Sequence, residues 1–93
     1  MEFQLQELGV NKFAFVGEQD GKRLAEITWI QQGEIMVMDH TFVSDQLRGQ
    51  GVAKQLLDCA AKYARENRYK MQAVCTYVVA AFEKSTAYDD VKQ

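Results

Sequence analysis

The chain has 93 residues, of which 47% are hydrophobic and 26% are charged, as in a soluble globular domain with its own core. Its net charge of −2 argues against a general nucleic-acid or anionic-membrane binder, because both need basic surfaces. No apolar run approaches membrane-spanning length, and no secretory signal is expected at the first residues. One histidine and two separated cysteines, Cys59 and Cys75, predict no metal site and indicate reduced thiols in the cytoplasm.

The first half of the chain predicts an antiparallel meander of four strands. A short strand around Phe3 and Leu5 is followed by an aromatic and β-branched strand at 13–16. Asp20-Gly21 favours positive φ and predicts a tight hairpin to a third strand at 22–31. On that strand, alternation places Ala25, Ile27 and Trp29 on one face.

The fourth strand is predicted over residues 34–43. Its segment Ile35-Met36-Val37-Met38 is apolar at every position, which predicts a central strand covered on both faces. Regular alternation then places His40 on the face of Met36, Met38 and Phe42.

A glycine-containing loop at 44–51 separates this meander from a long amphipathic helix ending near Asn67. A fifth strand at 70–75 and a shorter helix at 77–84 follow. The helix that links the fourth and fifth strands predicts a parallel pair with a right-handed crossover. A ligand in such a unit sits at the carboxyl ends of the parallel strands.

The loop Gln46-x-x-Gly49-x-Gly51 carries the sharpest functional signal. Glycines let the backbone approach a ligand closely, and a helix start offers unpaired N–H groups and the positive end of the dipole. A phosphate-bearing ligand is therefore predicted, and the alternative is a helix-entry turn without a ligand. The loop fits neither a P-loop nor a dinucleotide-binding fingerprint, because no Gly-Lys-Ser/Thr and no third glycine follow.

Gln46-Leu47-Arg48-Gly49-Gln50-Gly51-Val52-Ala53 resembles the Q/R-x-x-G-x-G/A pyrophosphate loop of the GNAT N-acetyltransferases. Asp39-His40-Thr41-x-Val43 before it and Cys75-Thr76-Tyr77-Val78 after the fifth strand are similar to the very small, stand-alone Yjdj-type branch. The resemblance covers nearly the whole chain. Thr76 and Thr86 stand where such relatives often carry proline.

The resemblance implies a single domain, 1–93, with a mixed α+β (α/β mixed) minimal GNAT fold. This fold is an antiparallel β-meander followed by a β-α-β unit and a short C-terminal helix. It also implies an N-acetyltransferase that uses acetyl-CoA and an amine acceptor of unknown identity. The net charge predicts neither nucleic acid nor membrane as partner. The residues expected to bind the cofactor are Thr41, Phe42, Val43, Gln46, Arg48, Gly49, Gln50, Gly51, Val52 and Ala53.

Three side chains are expected at the thioester. Cys75 is a nucleophile, a thiol acid or a packed core residue, and a thiolate there would draw on the following helix start or on His40. His40 is a general base, an orienting group or a buried structural histidine. Tyr77 protonates the leaving thiolate or is an ordinary amphipathic aromatic, whereas Cys59 is assigned to packing.

Two non-enzymatic functions stay open beside the transferase. Ninety-three residues leave little material for an acceptor pocket, so the domain is alternatively a non-catalytic acyl-CoA sensor. The third reading is an interaction module with a degenerate loop. A monomer or a weak homodimer is expected, because a partner could cover an open sheet edge.

Overall fold

Five strands form one mixed sheet whose spatial order follows the chain, β1-β2-β3-β4-β5. The computed structural model describes all residues, 1–93. The strands are β1 (Gln4–Gly9), β2 (Lys12–Gln19), β3 (Lys22–Gln32), β4 (Ile35–Val43) and β5 (Lys70–Ala73), and the helices are α1 (Val52–Asn67) and α2 (Thr76–Lys84). The first four strands are antiparallel, and β5 is parallel to β4. The predicted meander, β-α-β unit and short C-terminal helix are confirmed.

Local sequence explains the meander. Asp20 and Gly21 have φ of 53° and 78°, so the β2–β3 hairpin turns through two left-handed residues, as predicted. β1 lies further along the chain than its predicted centre, because it pairs with β2 up to Gly9. No helix is long and apolar enough to cross a membrane.

One face of the sheet, called here the inner face, carries the core. Ala25, Ile27 and Trp29 lie on it with no exposed surface, and both helices and the C-terminal segment join the same apolar cluster. The opposite, outer face has no helix on it, and Ile30 and Phe42 are exposed there. The predicted coverage of β4 on both faces is therefore wrong, since one side is only half-buried.

A β-bulge at Asp39 reverses the alternation along β4. Trp29 pairs with Met38 but Thr28 pairs with His40, so Asp39 has no partner of its own on β3. An extra residue moves everything beyond it to the other face. The predicted face of His40 is therefore wrong: His40 lies on the outer face, and Thr41 takes the inner one.

β5 is shorter than predicted and ends at Ala73 instead of Cys75. The amides of Val74 and Cys75 both donate to the carbonyl of Met38, at 3.1 and 2.9 Å. This shared acceptor turns the chain away from β4. As a result, residues 39–43 of β4 have β3 on one side and no strand on the other.

The C-terminal segment covers the far edge of β5. Met71 donates to Val91 at 2.7 Å and accepts from Gln93 at 2.9 Å. Tyr88 is buried, and its hydroxyl donates to the carboxylate of Asp58 on α1. Lys54 donates to the other oxygen of that carboxylate at 2.8 Å. The segment is therefore tied both to the sheet and to α1.

Replacing Tyr88 by phenylalanine is expected to lower the free energy of unfolding at pH 7 by about 1–2 kcal/mol, because a hydrogen bond to a charged group is lost. Burial raises the pKa of Asp58, but the hydrogen bonds from Lys54 and Tyr88 outweigh it and lower the pKa below its usual value. A lowered carboxyl pKa contributes stability above the unfolded pKa, and this contribution disappears as pH falls through the folded pKa. The loss in Tyr88→Phe should therefore shrink below about pH 4.

Urea unfolding at pH 7 and pH 3 measures this difference. Tyr69→Phe is the matched control, because the Tyr69 hydroxyl has no hydrogen bond within the protein. A Tyr88→Phe loss that is equal at both pH values would contradict the proposed role of the Asp58 hydrogen bond.

Candidate active site

The loop before α1 presents a row of unpaired backbone amides. Gly49 and Gly51 have φ of 82° and 69°, and Gly51 is the N-cap residue without a side-chain cap. The first intrahelical bond runs from the amide of Gln55 to the carbonyl of Gly51, 3.1 Å. The amides without an acceptor in the protein are those of Gly49, Gly51, Val52, Ala53 and Lys54. Five such donors at the positive end of a helix are suited to an anion.

The charged side chains near this loop are engaged with carboxylates. Arg48 is largely exposed and its Nη2 lies 2.8 Å from Oδ1 of Asp45, and Lys54 is paired with Asp58. Each cation would have to exchange or share its partner to reach a bound anion. The backbone amides are free, so they are the loop's available anion-binding groups.

The remaining predicted loop residues contribute in different ways. Val52 is buried in the core and Ala53 is half-buried, so these two can offer only their amides. Gln46 is exposed and its own amide bonds the hydroxyl of Ser44 at 3.2 Å. The carbonyl of Gln50 accepts from the side chain of Gln55 at 3.2 Å, which fixes the entry to α1.

The free edge of β4 leads directly into this loop. Thr41, Phe42 and Val43 are bonded to β3 and have no strand on their other side. Phe42 is exposed on the outer face, whereas Val43 packs against the core. An extended ligand could add to this edge as a strand does and continue to the amides at the start of α1.

Cys75 lies at the start of α2, where it is the N-cap residue. Its amide is held by Met38, and its Sγ donates to Oγ1 of Thr41 at 3.4 Å. The thiol is half-buried. Cys75 is therefore fixed on the inner side of the point where β4 and β5 separate, at the positive end of a helix.

Tyr77 lies in the first turn of α2, two residues beyond Cys75, and packs half-buried against the core. Burial and then the carboxylate of Asp58 raise the pKa of Tyr77, and Cys75 adds to the shift. The phenol is therefore protonated at neutral pH and can donate a proton. A phenol of this kind can donate its proton to a nearby thiolate.

His40 lies on the other side of the sheet. It pairs with Thr28, and its Nε2 is 3.6 Å from Oε2 of Glu26. No hydrogen bond or ion pair joins it to Cys75 or Tyr77. The structure thus brings Cys75 into contact with Thr41, places Tyr77 two residues along α2, and gives His40 a different partner, Glu26.

Sequence reasoning offered Glu26 only as a possible water-mediated base, and it assigned neither the contact of Glu26 with His40 nor that of the Thr41 side chain with Cys75. Glu26 reads as an ordinary charged strand residue, and its meeting with His40 depends on the bulge. No group of three His, Cys, Asp or Glu side chains is placed to hold a metal ion.

The cavities lie away from these candidate catalytic groups. One of about 460 Å³ adjoins the loop and is lined by Leu47, Gln50 and the ends of β1 and β2. The other two lie beside α2 and at the carboxyl end of α1. His40, Cys75 and Tyr77 line none of them, so no enclosed acceptor pocket is present at the site.

The arrangement is that of a GNAT-type fold. β4 is bulged and then unpaired along one edge, an uncapped helix follows it, and the parallel strand β5 diverges from it. The family model described as GCN5-related N-acetyl-transferase matches residues 12–91. The chain belongs to this family, and its membership supports acetyltransferase activity in general.

Solved structures agree with this assignment. The chain is similar to a GCN5-like N-acetyltransferase candidate from Staphylococcus aureus, with 40% identity, a TM-score of 0.72, and coverage of 97% of this chain and 87% of that one. It is 25% identical to a ribosomal-protein-alanine N-acetyltransferase from Brucella melitensis biovar Abortus 2308, with a TM-score of 0.59. That match covers 70% of this chain but only 51% of the Brucella enzyme.

A more distant likeness concerns the fold alone. An aminoglycoside N-acetyltransferase solved in complex with CoA is 12% identical, with a TM-score of 0.59 and coverage of 89% of this chain and 72% of that one. A search of curated protein sequences gives no match.

Proposed function

We propose that this protein is an N-acetyltransferase that takes the acetyl group from acetyl-CoA and transfers it to an amine. The observation that carries the proposal is the row of five unpaired amides at the start of α1, continuous with the free edge of β4. Its Cys75-Thr76-Tyr77-Val78 segment also supports a place in the Yjdj-type branch.

The cofactor would lie along this continuous surface. The amides from Gly49 to Lys54 would bind the pyrophosphate, and Arg48 would add charge after leaving Asp45. The pantetheine arm would hydrogen-bond the edge at Thr41 to Val43. This course leads the thioester towards the separation of β4 and β5, which Cys75 flanks on the inner side.

Transfer would proceed by attack of a neutral amine on the thioester carbonyl carbon. The C–N bond forms, the C–S bond breaks, and CoA leaves as a thiolate. His40 takes the proton lost by the amine, from the outer side. The inner-side pair, Cys75 and Tyr77, returns a proton to the thiolate. His40 therefore serves the acceptor, because it lies on the other face of the sheet and has no contact with Cys75.

The second candidate function is an acyl-CoA sensor without turnover. It is favoured by one observation, the absence of any cavity lined by His40, Cys75 or Tyr77. In a sensor, the same loop and edge would bind the cofactor while no amine is held against the thioester.

Thermal unfolding with and without acetyl-CoA tests the proposal first. A ligand at a hundredfold excess over its Kd stabilises by about 2.7 kcal/mol, so the melting temperature should rise by about 10 °C or more. Release of free CoA is then measured with a panel of amines and peptides. An unchanged melting temperature would exclude acyl-CoA binding, and a raised one without release by any acceptor would select the sensor.

A further inference from the structure

A chain of polar contacts crosses the outer face of the sheet and ends at His40. Arg23 donates through Nη2 to Oε1 of Gln6 at 2.7 Å and through Nη1 to Oε1 of Glu26 at 3.0 Å. The second oxygen of Glu26, Oε2, faces Nε2 of His40 at 3.6 Å. The carboxylate therefore has one oxygen fixed by a guanidinium and the other directed at the imidazole.

The burial of these groups distinguishes Glu26 from an ordinary solvated carboxylate. Its side chain is 18% exposed, whereas that of His40 is 57% exposed. The Glu26 carboxylate is thus less solvated than the imidazole that it faces, and most of the imidazole ring stays open to solvent. A less solvated carboxylate acts more strongly on a charge that appears beside it.

The other charged groups near His40 are already paired with one another. Asp39, its neighbour in the chain, accepts from the hydroxyl of Thr28 at 2.6 Å and is bonded by Lys12. Asp39 and Lys12 therefore neutralise each other at the bulge. Both oxygens of Asp39 are thus engaged, whereas Glu26, although paired with Arg23 through Oε1, keeps Oε2 directed at the imidazole.

We propose that Glu26 is a positioning residue for His40 in acetyl transfer, an inference that rests on the proposed function. Glu26 faces the Nε2 side of the ring, which leaves Nδ1 available to the acceptor. When the amine nitrogen bonds the acyl carbon and the C–S bond breaks, the amine proton passes to Nδ1 of His40. The positive charge formed on the ring then lies against Glu26, and CoA leaves as a thiolate that is protonated from the inner side.

The separation of 3.6 Å fits this role. It is longer than a hydrogen bond but within the range of an ion pair with a protonated ring. Contacts of catalytic groups are often loose in the free enzyme and tighten when charge develops. Glu26 would therefore contribute chiefly after the proton has moved to His40, which affects turnover more than cofactor binding.

Steady-state kinetics of the full chain with acetyl-CoA and the best amine of the panel test the inference. Glu26→Gln should lower kcat about tenfold and leave the KM for acetyl-CoA within about twofold. Adding Glu26→Gln to His40→Gln should cost nothing further, because a residue that acts through His40 has no effect without it. Glu26→Asp, which keeps the charge, should recover part of the rate.

Glu34→Gln is the matched control, since Glu34 is an exposed carboxylate on the β3–β4 turn and its removal changes the net charge equally. An unchanged kcat in Glu26→Gln, or additive losses in the double variant, would overturn the inference while the transferase stands. A wild-type protein that releases no CoA with any amine would instead overturn the proposed function itself.

A readout without turnover guards against a variant that is merely misfolded. His40 is the single histidine of the chain, so its imidazole proton signals are unique in an NMR spectrum. These signals should move in Glu26→Gln and stay in place in Glu34→Gln, with the remaining spectrum conserved. Imidazole signals that are identical in both variants would contradict the contact with Glu26.

Discussion

Acetyl-CoA is expected to bind about ten- to a hundredfold more weakly when Gly51 is replaced by alanine, the equivalent of losing one hydrogen bond to a charged group. Gly51 has φ of 69°, and a Cβ added there would meet no protein atom within 4 Å. The added methyl group therefore clashes with no protein atom and enters open space beside the loop. In addition, an L-residue is strained at this φ and tends to turn its neighbouring amides away from their present direction.

Gly33→Ala separates binding from strain. Gly33 has φ of 60° and equally open surroundings, but it lies in the turn between β3 and β4, away from the loop. Both variants should lose about 1–2 kcal/mol of unfolding free energy, and only Gly51→Ala should lose affinity by calorimetric titration. Equal affinities for acetyl-CoA in the two variants would show that the loop amides do not bind the cofactor.

Replacing Cys75 by alanine should lower kcat by at least about a hundredfold, on the scale of removing a proton-transferring group. Cys75 contributes its thiol to the inner site, but its amide, which Met38 holds, remains in the variant. The dissociation constant for acetyl-CoA should therefore change little, within about twofold. Stopped or continuous measurement of CoA release, together with calorimetric titration, gives both quantities.

Cys59→Ala is the matched control for this experiment. Cys59 is the other free cysteine, it lies within α1, and burial raises the pKa of its thiol, which makes it a poor nucleophile. The control should retain full turnover. If Cys75→Ala also retains it, Cys75 is a packing residue. Mass spectrometry of protein mixed with acetyl-CoA alone would show an acetyl group on Cys75 if the thiol acts as a nucleophile.

The parts of the fold that could be predicted are those encoded locally. Asp20-Gly21 specifies its turn through two adjacent φ angles, and the glycines at 49 and 51 directly precede the helix whose amides they expose. Such features depend on a few consecutive residues. The alternation of side chains along β3 likewise predicted which of its residues lie on the inner face.

The bulge at Asp39 could not be predicted, because its causes are distant in sequence. Asp39 is held by Thr28 and Lys12, which lie on two other strands, and only the register of the assembled sheet brings them together. The contact of Thr41 with Cys75 likewise joins residues 34 positions apart. For this reason the residues proposed for catalysis could be named from the sequence, whereas their division between two faces could not.

The bulge also bears on how such a protein can evolve. It places His40 on the face of Glu26, which shares no side chains with the apolar core, while Thr41, Cys75 and the loop belong to the side that carries the helices. Substitutions on the outer face can therefore alter which amine is accepted without disturbing core packing or the hold on acetyl-CoA. Under the proposed function, a change of acceptor and the retention of the donor are separable by mutation.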